Sequence, residues 1–310
     1  ACGQRDARSP TPRHARSMPL DAVSALTRLG GTAGWAALME LTTRGRLRTA
    51  LAAGTVVRSQ RGRYVLPDAD LARRAAARIN GVLALRSAAM HHGWPVKFPP
   101  PVPEIGVPRK RHLSPRKGIR LVWLHRLDAG AVATSPLQTV IACARLLPFD
   151  DALAIADSAL RAGDVTRREI KEAADLVRGA GAAAVRRVAR HATPKAANPF
   201  ESVLRAIALE VGLVAEPQAT VDVGERVLHP DLVVGRLVLE ADSWEWHTGK
   251  EAHLNDCWRY NALVTHGFTV LRLAWEHVML NPGYVRDVLL RATGQPPAQA
   301  EPRDSLPWTA

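Results

Sequence analysis

The chain has 310 residues, of which 47% are hydrophobic and 23% are charged, a balance typical of globular proteins with buried apolar cores. No apolar run reaches the length of a membrane span, and the first residues lack the apolar core of a signal peptide, which argues against a membrane or secreted protein. The cysteines, Cys2, Cys143 and Cys257, form no CxxC pair, so neither a disulfide framework nor a zinc site is indicated. We therefore expect a cytoplasmic protein of two or three domains.

Positive charge is concentrated in the first two thirds of the sequence. The formal net charge is +13, but residues 1–195 alone contain 33 Lys and Arg against 14 Asp and Glu. Residues 196–293 contain 8 basic and 13 acidic residues, so this part is negatively charged. A basic region can supply affinity for phosphates that an acidic region cannot, which makes nucleic acid the expected partner. Arginine-rich helices that are merely well solvated are the alternative.

The pattern of residues 18–69 predicts a winged helix, which follows a flexible basic arm over residues 1–17. The first helix is expected from about residue 20 to 29, and the third from about 43 to 53. Between them a second helix should follow Thr32, with Trp35, Leu38 and Met39 on its inner face. Two short β-type runs, 55–58 and 63–66, then flank a Ser-Gln-Arg-Gly turn as a β-hairpin wing.

The third of these helices has the features of a DNA recognition helix. Leu47, Ala50 and Leu51 form its buried stripe, which leaves Arg44 and Arg48, four residues apart, on an exposed face. Arginines on such a helix can read guanine or bind phosphate. The segment resembles the winged helix of AbiEi-type antitoxins; a winged domain used for protein contacts is the alternative. The expected DNA-contacting residues are Thr43, Arg44 and Arg48 on the helix and Arg58, Arg61 and Arg63 on the wing.

Residues 70–195 are expected to form an α+β middle segment and linker. A helix is predicted from Asn80 to His92, and strands are predicted over 104–107 and 119–125, joined by a basic loop. That loop suits a phosphate backbone, although an edge hairpin protected by Lys and Arg would have the same sequence. Further helices are predicted over 135–146, over 151–161 and within 167–195. This order resembles the segment that accompanies the winged helix in AbiEi-like proteins.

The most informative stretch, residues 228–242, has the pattern of a β-hairpin. Val- and Leu-rich runs flank Gly235 and Arg236, and glycine in the first central position suits a type II′ turn. A turn at these residues places Asp231 opposite Glu240 in the more closely spaced kind of strand pair, and Asp242 follows on the same face. Pro230 cannot donate a ladder hydrogen bond, so we expect the strand to open beside Asp231.

Like charges that face each other across a ladder are destabilising, and a cation that neutralises them removes the penalty. Pairs of carboxylates with open coordination positions are typical of Mg²⁺ sites that act on phosphates. Acids that are simply hydrated on a solvent-facing edge are the alternative. The hairpin therefore indicates either a metal site or an exposed acidic edge.

Other elements of residues 196–293 complete the predicted C-terminal domain. Asn198, Pro199 and Glu201 form a capping-box start of its first helix, which explains Glu201 on structural grounds alone. After the hairpin a helix is expected from about 251 to 265, where Asp256 and Arg259 have the spacing of a helical ion pair. A strand over 268–273, a closing helix over 276–292 and a disordered tail over 294–310 follow.

The order Pro-Asp, short hairpin, Glu-x-Asp resembles the PD-(D/E)xK nuclease superfamily. The branch related to very-short-patch-repair (Vsr) endonucleases is resembled over about residues 198–290, through Glu240-Ala241-Asp242-Ser243-Trp244-Glu245-Trp246-His247, Asp256-Cys257-Trp258-Arg259 and Gly267-Phe268-Thr269-Val270-Leu271-Arg272.

This resemblance implies that Asp231 and Glu240 bind Mg²⁺ or Mn²⁺ together with the backbone carbonyl of Ala241. The remaining candidates are His247 for proton transfer, Glu201 and Asp242 as further catalytic acids, and Lys250 and Arg259 as phosphate-binding residues. The chain departs from the superfamily at Asp242, which stands where a Lys is expected, and at Ser243, where Gly usually follows.

Together these patterns predict a multidomain α/β protein with an N-terminal winged helix, an α+β middle segment and a C-terminal restriction-endonuclease-like mixed sheet flanked by helices. The predicted function is binding of double-stranded DNA combined with metal-dependent endonuclease activity. The alternative is a non-catalytic, antitoxin-like transcriptional regulator with a residual nuclease fold. RNA also stays open as a substrate, because metal-dependent phosphodiester chemistry does not reveal the sugar.

Overall fold

The protein is a mixed α/β structure with several small sheets. The computed structural model describes residues 19–29, 32–60, 62–111, 113, 117–125, 131–224, 226–242 and 250–295. The helices are α1 Ala22–Arg28, α2 Trp35–Leu41, α3 Arg44–Ala52, α4 Asp68–Arg78, α5 Leu85–His92, α6 Pro136–Leu146, α7 Phe149–Ala162, α8 Arg167–Leu176, α9 Ala182–His191, α10 Pro199–Glu210, α11 Lys250–Thr265, α12 Trp275–Leu280 and α13 Pro282–Ala292. The strands are β1 Thr32–Gly34, β2 Val57–Gln60, β3 Arg63–Val65, β4 Val82–Leu83, β5 Glu104–Pro108, β6 Arg120–Leu124, β7 Glu216–Pro217, β8 Val221–Asp222, β9 Val227–Leu228, β10 Leu232–Val234, β11 Leu237–Asp242 and β12 Thr269–Ala274. Within the described ranges, no helix combines the length and apolar character needed to cross a bilayer.

The first helices and strands share one small core. Helices α1, α2 and α3 pack with a three-stranded sheet of order β1-β3-β2 around buried Leu26, Leu38 and Leu47. The helix expected directly after Thr32 begins only at Trp35, because residues 32–34 pair with β3 as a strand that the sequence did not predict. Both α1 and α3 begin at side-chain N-caps, since Asp21 accepts from Val23 and Ser24 and Thr43 accepts from Arg46.

The next part of the chain differs from the sequence expectation. The helix predicted from Asn80 begins at Leu85, because Asn80 turns with a φ of 45° and β4 pairs with β5. Helix α4 was not predicted. Strands β5 and β6 pair in parallel, so the edge-hairpin alternative is wrong. Buried Glu104 on β5 supports this register through ion pairs with Arg120, opposite it on β6, at 3.0 Å and with Arg86 at 2.7 Å.

Helices α6 to α9 form the largest core, and α10 packs directly against them. Between α7 and α10, the fully buried Asp157 accepts from Arg205 at 2.6 Å, from Ser202 at 2.8 Å and from the backbone of Thr193 at 2.8 Å. A buried ion pair of this kind is costly to break, because the partner left behind has no water to replace the lost contact. This network therefore fixes the position of α10, which carries Glu201.

A four-stranded sheet of order β12-β11-β10-β7 forms the centre of the C-terminal region. Strands β10 and β11 are antiparallel, and β11 and β12 are parallel. Helices α10, α12 and α13 cover the face that carries Leu237 and Leu239, while α11 lies on the face that carries Val238. The single closing helix predicted over 276–292 is two helices, because Asn281 ends α12 and caps α13 at Pro282.

Candidate active site

The hairpin of β10 and β11 has the predicted register. Val234 pairs with Leu237 and Leu232 with Leu239, so residue 231 lies opposite Glu240 at the open end of the ladder. Gly235 has a φ of 58°, and Arg236 is not among the residues with positive φ, as a type II′ turn requires. The prediction of the turn at Gly235 and Arg236 is confirmed.

The chain also opens beside Asp231, as expected from Pro230. Residues 227–228 pair with β8 in a separate ribbon, and the strand of the main sheet begins only at Leu232. Freed from the ladder, Asp231 turns its side chain to β11, where its Oδ2 accepts from the backbone of Ala241 at 2.8 Å. The charge of Asp231 also acts on Glu240, whose pKa it helps to raise. The two acids thus share one side of the sheet.

Glu201 approaches the same pair from the start of α10. Asn198 caps the helix by accepting from the backbone of Glu201 at 3.0 Å, and Pro199 follows at N1, as predicted. In return, the Glu201 carboxyl accepts from the backbone of Ala197 at 2.8 Å and from the Asn198 amide at 3.0 Å. Capping therefore explains the orientation of Glu201, which also lies near Asp231.

Gln218 links these acids, and the sequence did not indicate it. Its Nε2 lies 3.4 Å from Glu201 Oε2 and 3.4 Å from Asp231 Oδ1, so one amide bridges two carboxyls. Its backbone N–H also donates to the Asp231 carbonyl at 3.1 Å. Gln218 has a φ of 52°, a left-handed conformation that L side chains adopt at a cost. The only sequence signal is a polar residue directly after Pro217, which is too weak to single it out.

Burial raises the pKa of each of the three acids. Burial, followed by the charge of Asp231, raises the pKa of Glu240 to about 8. The same two causes, in the same order, raise the pKa of Glu201 to about 7. Burial also raises the pKa of Asp231, although its hydrogen bond from Ala241 and the charge of Arg259 act against the shift. Shifts of this origin mark carboxyls that are withdrawn from water and are typical of functional sites.

Arg259 on α11 is the nearest cation to Glu240. Its Nη2 lies 2.8 Å from Glu240 Oε1 and donates to the His229 carbonyl at 3.2 Å. The contact with Glu240 is short, but it lacks the alignment of a hydrogen bond, and the buried Glu240 Oε1 has no hydrogen-bond partner among the described residues. The contacts of Arg259 therefore reach across from α11 to the hairpin.

Asp242 is held by a different arginine. Arg272 lies on the neighbouring parallel strand, directly opposite Glu240, and its Nη2 approaches Asp242 Oδ2 to 2.5 Å. The Arg272 guanidinium also lies 4.5 Å from the centre of the Tyr260 ring. Burial, followed by the charge of Glu240, raises the pKa of Tyr260 to about 12, which keeps the phenol protonated. The guanidinium of Arg272, on the adjacent strand, thus supplies a positive charge beside Asp242.

The residues of this site have the donor chemistry of a magnesium site. Over the ranges that the structure describes, no group of three or more His, Cys, Asp and Glu side chains is arranged to hold a metal ion. Mg²⁺, however, commonly binds through one or two carboxylates and keeps water and substrate phosphate as its other ligands. Asp231, Glu240 and the backbone carbonyl of Ala241 could supply the oxygen ligands. Glu240 Oε1, a buried oxygen without a hydrogen-bond partner among the described residues, is the kind of atom to which a cation would bind.

No model of a known protein family matches the chain. Two proteins of Mycobacterium tuberculosis, uncharacterized protein MT2308 of strain CDC 1551 / Oshkosh and uncharacterized protein Rv2248 of strain ATCC 25618 / H37Rv, are each 31% identical over 264 residues. The match covers 78% of this chain and 93% of each relative. The chain belongs to the family of these two proteins.

Among solved structures, the crystal structure of the RV2827C protein from Mycobacterium tuberculosis is similar over 68% of this chain and 91% of its own. The sequence identity is 17% and the TM-score is 0.27. A similarity at this level supports no statement about fold or function.

The predicted DNA-contacting residues lie in the N-terminal part of the chain. Arg44, Arg48 and Arg58 are exposed, and Arg44 lies 5.2 Å from the centre of the Trp35 ring. Together Arg44 and Arg48 border an open cleft of about 530 Å³, which is also lined by Trp35, Gly45, Leu47, Leu51 and Tyr64. Thr43 has a structural explanation as the N-cap of α3.

For several predicted site residues the structure describes either nothing or only the backbone. His247 and Arg61 lie outside the described residues, and only the backbone is described for Lys250 and Arg63. Their proposed roles in proton transfer and phosphate binding therefore stay predictions from the sequence. The arm over 1–17 and most of the tail over 294–310 also lie outside the described residues.

Proposed function

We propose that the protein binds double-stranded DNA and cleaves phosphodiester bonds with the help of Mg²⁺ or Mn²⁺. The observation that carries this proposal is the facing pair of Asp231 and Glu240, two acids that lie on one side of a sheet with Glu240 only 3% exposed. Burying Glu240 beside the half-buried Asp231 is unfavourable unless positive charge compensates the two carboxyls. Acids that are simply hydrated on a surface edge would not include a buried Glu240.

Each residue of the site has a separate role in the proposed reaction. A bound divalent cation would polarise the scissile phosphate and lower the pKa of a water molecule. Asp231, Glu240 and the carbonyl of Ala241 would hold the cation, and Gln218 fixes the orientation of Asp231. Arg259 and Lys250 would bind phosphate, and His247 would transfer the proton. Glu201 would adjust the charge of the site through its contact with Gln218.

The architecture of the C-terminal region supports this assignment. A mixed sheet with a β-hairpin next to a parallel strand, covered by helices on both faces, is compatible with a restriction-endonuclease-like domain over residues 196–293. The spacing of the acidic hairpin, α11 and β12 is compatible with a Vsr-like member of the PD-(D/E)xK superfamily. We propose both on the sequence resemblance, with the hairpin register as support.

The N-terminal region supports binding to DNA. Three helices and a three-stranded sheet, in the chain order α1-β1-α2-α3-β2-β3, are compatible with a winged helix like that of AbiEi-type antitoxins, over residues 18–69. The exposed Arg44 and Arg48 on α3 could enter a major groove, and Arg58 could contact the backbone beside it. The middle segment, residues 70–195, would connect this region to the nuclease-like region.

A second function is supported by the surroundings of Asp242. At the position where the superfamily has Lys, this chain has an acid that pairs with Arg272 at 2.5 Å. A site without the usual Lys would also suit an antitoxin-like regulator that binds DNA and has lost catalysis. The two functions share the N-terminal region and differ only in the chemistry of the hairpin.

Incubation with plasmid and with single-stranded DNA and RNA, in the presence of Mg²⁺ or Mn²⁺, separates the two functions. The proposed nuclease cleaves as wild type and is inactive as Glu240→Gln, which removes a charged ligand. Glu216→Gln, an exposed acid on β7 of the same sheet, serves as the matched control and should keep full activity. Binding without cleavage by wild-type protein would instead support the regulator.

A further inference from the structure

We propose that Arg259 is an exchangeable counter-ion of Glu240, which a divalent cation displaces and thereby frees to bind a phosphate. This inference rests on the proposed function, because it concerns the cation that Asp231 and Glu240 would hold. It goes further by giving Arg259 two alternating partners, a carboxyl and a phosphate. Entry of the cation and capture of the substrate would then be linked through a single side chain.

The contact between Arg259 and Glu240 has the geometry of a charge contact that can be exchanged. Nη2 lies 2.8 Å from Glu240 Oε1 without hydrogen-bond alignment, and the hydrogen bond of the same nitrogen goes to the carbonyl of His229. Strong arginine–carboxylate pairs use two parallel hydrogen bonds, which are missing here. The guanidinium thus neutralises Glu240 without being fixed to it.

Burial around the pair favours exchange in one direction. Only 4% of the Glu240 side chain is exposed, compared with 23% of Arg259. The carboxyl is therefore fixed inside the site, while the arginine has an open side through which its head group can turn to solvent. A substrate phosphate would approach the site from that open side.

Charge explains why the two cations compete. A divalent cation bound by Asp231 and Glu240 would lie beside a guanidinium in contact with Glu240 Oε1, and like charges at such distances repel strongly where water is scarce. Removal of the arginine charge should therefore strengthen binding of the divalent cation. An arginine that served only to position the hairpin, through the His229 carbonyl, would not have this effect.

Arg272 provides a matched control. It carries the same charge and lies opposite Glu240 in the parallel register of β11 and β12, but its ion pair is with Asp242. Arg272→Gln therefore removes one positive charge from the same side of the sheet without touching the contact to Glu240. Comparison of the two variants separates direct competition from a general change in charge.

The test is calorimetric titration of the full chain with Mg²⁺, without nucleic acid. For each variant the pH is raised until the measured affinity no longer changes, so that competition by protons is removed from the comparison. We expect Arg259→Gln to bind Mg²⁺ about tenfold more tightly than wild type or better, and Arg272→Gln to stay within about threefold. Arg259→Lys, which retains the charge, should bind with an affinity close to that of wild type.

The variant Asp231→Asn distinguishes failure of this inference from failure of the proposed function. Suppose that wild type binds Mg²⁺, that Asp231→Asn does not, and that Arg259→Gln binds no more tightly than wild type. The proposed exchange of Arg259 is then wrong, whereas the proposed metal site is supported. Equal strengthening by Arg259→Gln and Arg272→Gln would also overturn the exchange. If no variant binds Mg²⁺, the proposed function and the exchange both fall.

Discussion

The arginines of α3 and the acids around the hairpin β10–β11 have opposite surroundings. Arg44 and Arg48 are exposed, so water solvates them and they are available to a polyanion. Glu240 and Glu201 are buried, and their raised pKa values express the cost of ionising them there. An exposed charge adds affinity over a wide surface, whereas a buried charge can act only on what enters its site. In the function that we propose, the arginines of α3 therefore bind DNA and the pair of Asp231 and Glu240 carries out the chemistry.

The largest expected effect comes from removing a charge from the pair of Asp231 and Glu240. Asp231→Asn keeps the shape of the side chain but removes a metal-binding charge, so DNA cleavage should fall by at least about 100-fold. DNA affinity should change little, because the exposed arginines are intact. Cleavage of labelled plasmid and binding to an uncleavable duplex measure the two effects, with Asp222→Asn on β8 as control. Equal cleavage by Asp231→Asn and wild type would contradict the division of roles.

The next effect concerns stability and pH. Because the pKa values of Glu240 and Glu201 in the folded protein, about 8 and about 7, lie above the ordinary value of 4.5, the folded chain binds more protons than the unfolded chain between these limits. The free energy of unfolding should therefore fall as the pH rises from about 5 to about 7, by up to about 1.4 kcal/mol per pH unit for each group.

Urea unfolding at several pH values measures this fall. Glu240→Gln removes one of the two groups, so its free energy of unfolding should fall less steeply than that of wild type. Glu216→Gln, at the exposed edge of the same sheet, should follow the wild-type curve. Parallel curves for wild type and Glu240→Gln would show that the buried acid does not carry the raised pKa.

A smaller effect is expected from the exposed arginines of α3. The double variant Arg44→Ala and Arg48→Ala should weaken DNA binding by about tenfold at low salt and reduce the slope of log affinity against log salt by about 2, because two phosphate-neutralising charges are lost. A change in base preference would identify either residue as a reader of sequence. Arg168→Ala on α8, another exposed arginine, should leave the slope unchanged. Fluorescence anisotropy with the full chain at several salt concentrations measures these slopes.

The smallest effect on stability is expected at Gln218. Glycine adopts a φ of 52° without strain, so Gln218→Gly should keep the free energy of unfolding within about 1 kcal/mol of wild type. Cleavage should nevertheless fall about tenfold, because the amide that orients Asp231 and Glu201 is lost. Gln218→Ala should lose the same activity and be less stable than Gln218→Gly. Full activity in both variants would limit Gln218 to a structural role.

Features encoded by neighbouring residues were determined by the sequence. The turn at Gly235 fixes the register of the hairpin, since side chains alternate along a strand and each pair follows from the one before. Asn198 and Pro199 likewise start α10, and Thr43 starts α3, because caps depend on contacts within three or four residues. The helix expected from Asn80 begins later, at Leu85, because β4 pairs with β5, more than 20 residues further along the chain.

Only the tertiary structure decided which partners the candidate residues have. Arg259 lies three residues after Asp256 in the sequence, yet it contacts Glu240 and the carbonyl of His229, because α11 packs across the face of β11. Gln218, directly after the edge strand β7, meets Asp231 and Glu201, and Arg272 reaches Asp242 from a parallel strand. Such contacts join residues that are 13 to 30 positions apart. They depend on sheet order and helix packing, which no local spacing in the chain specifies.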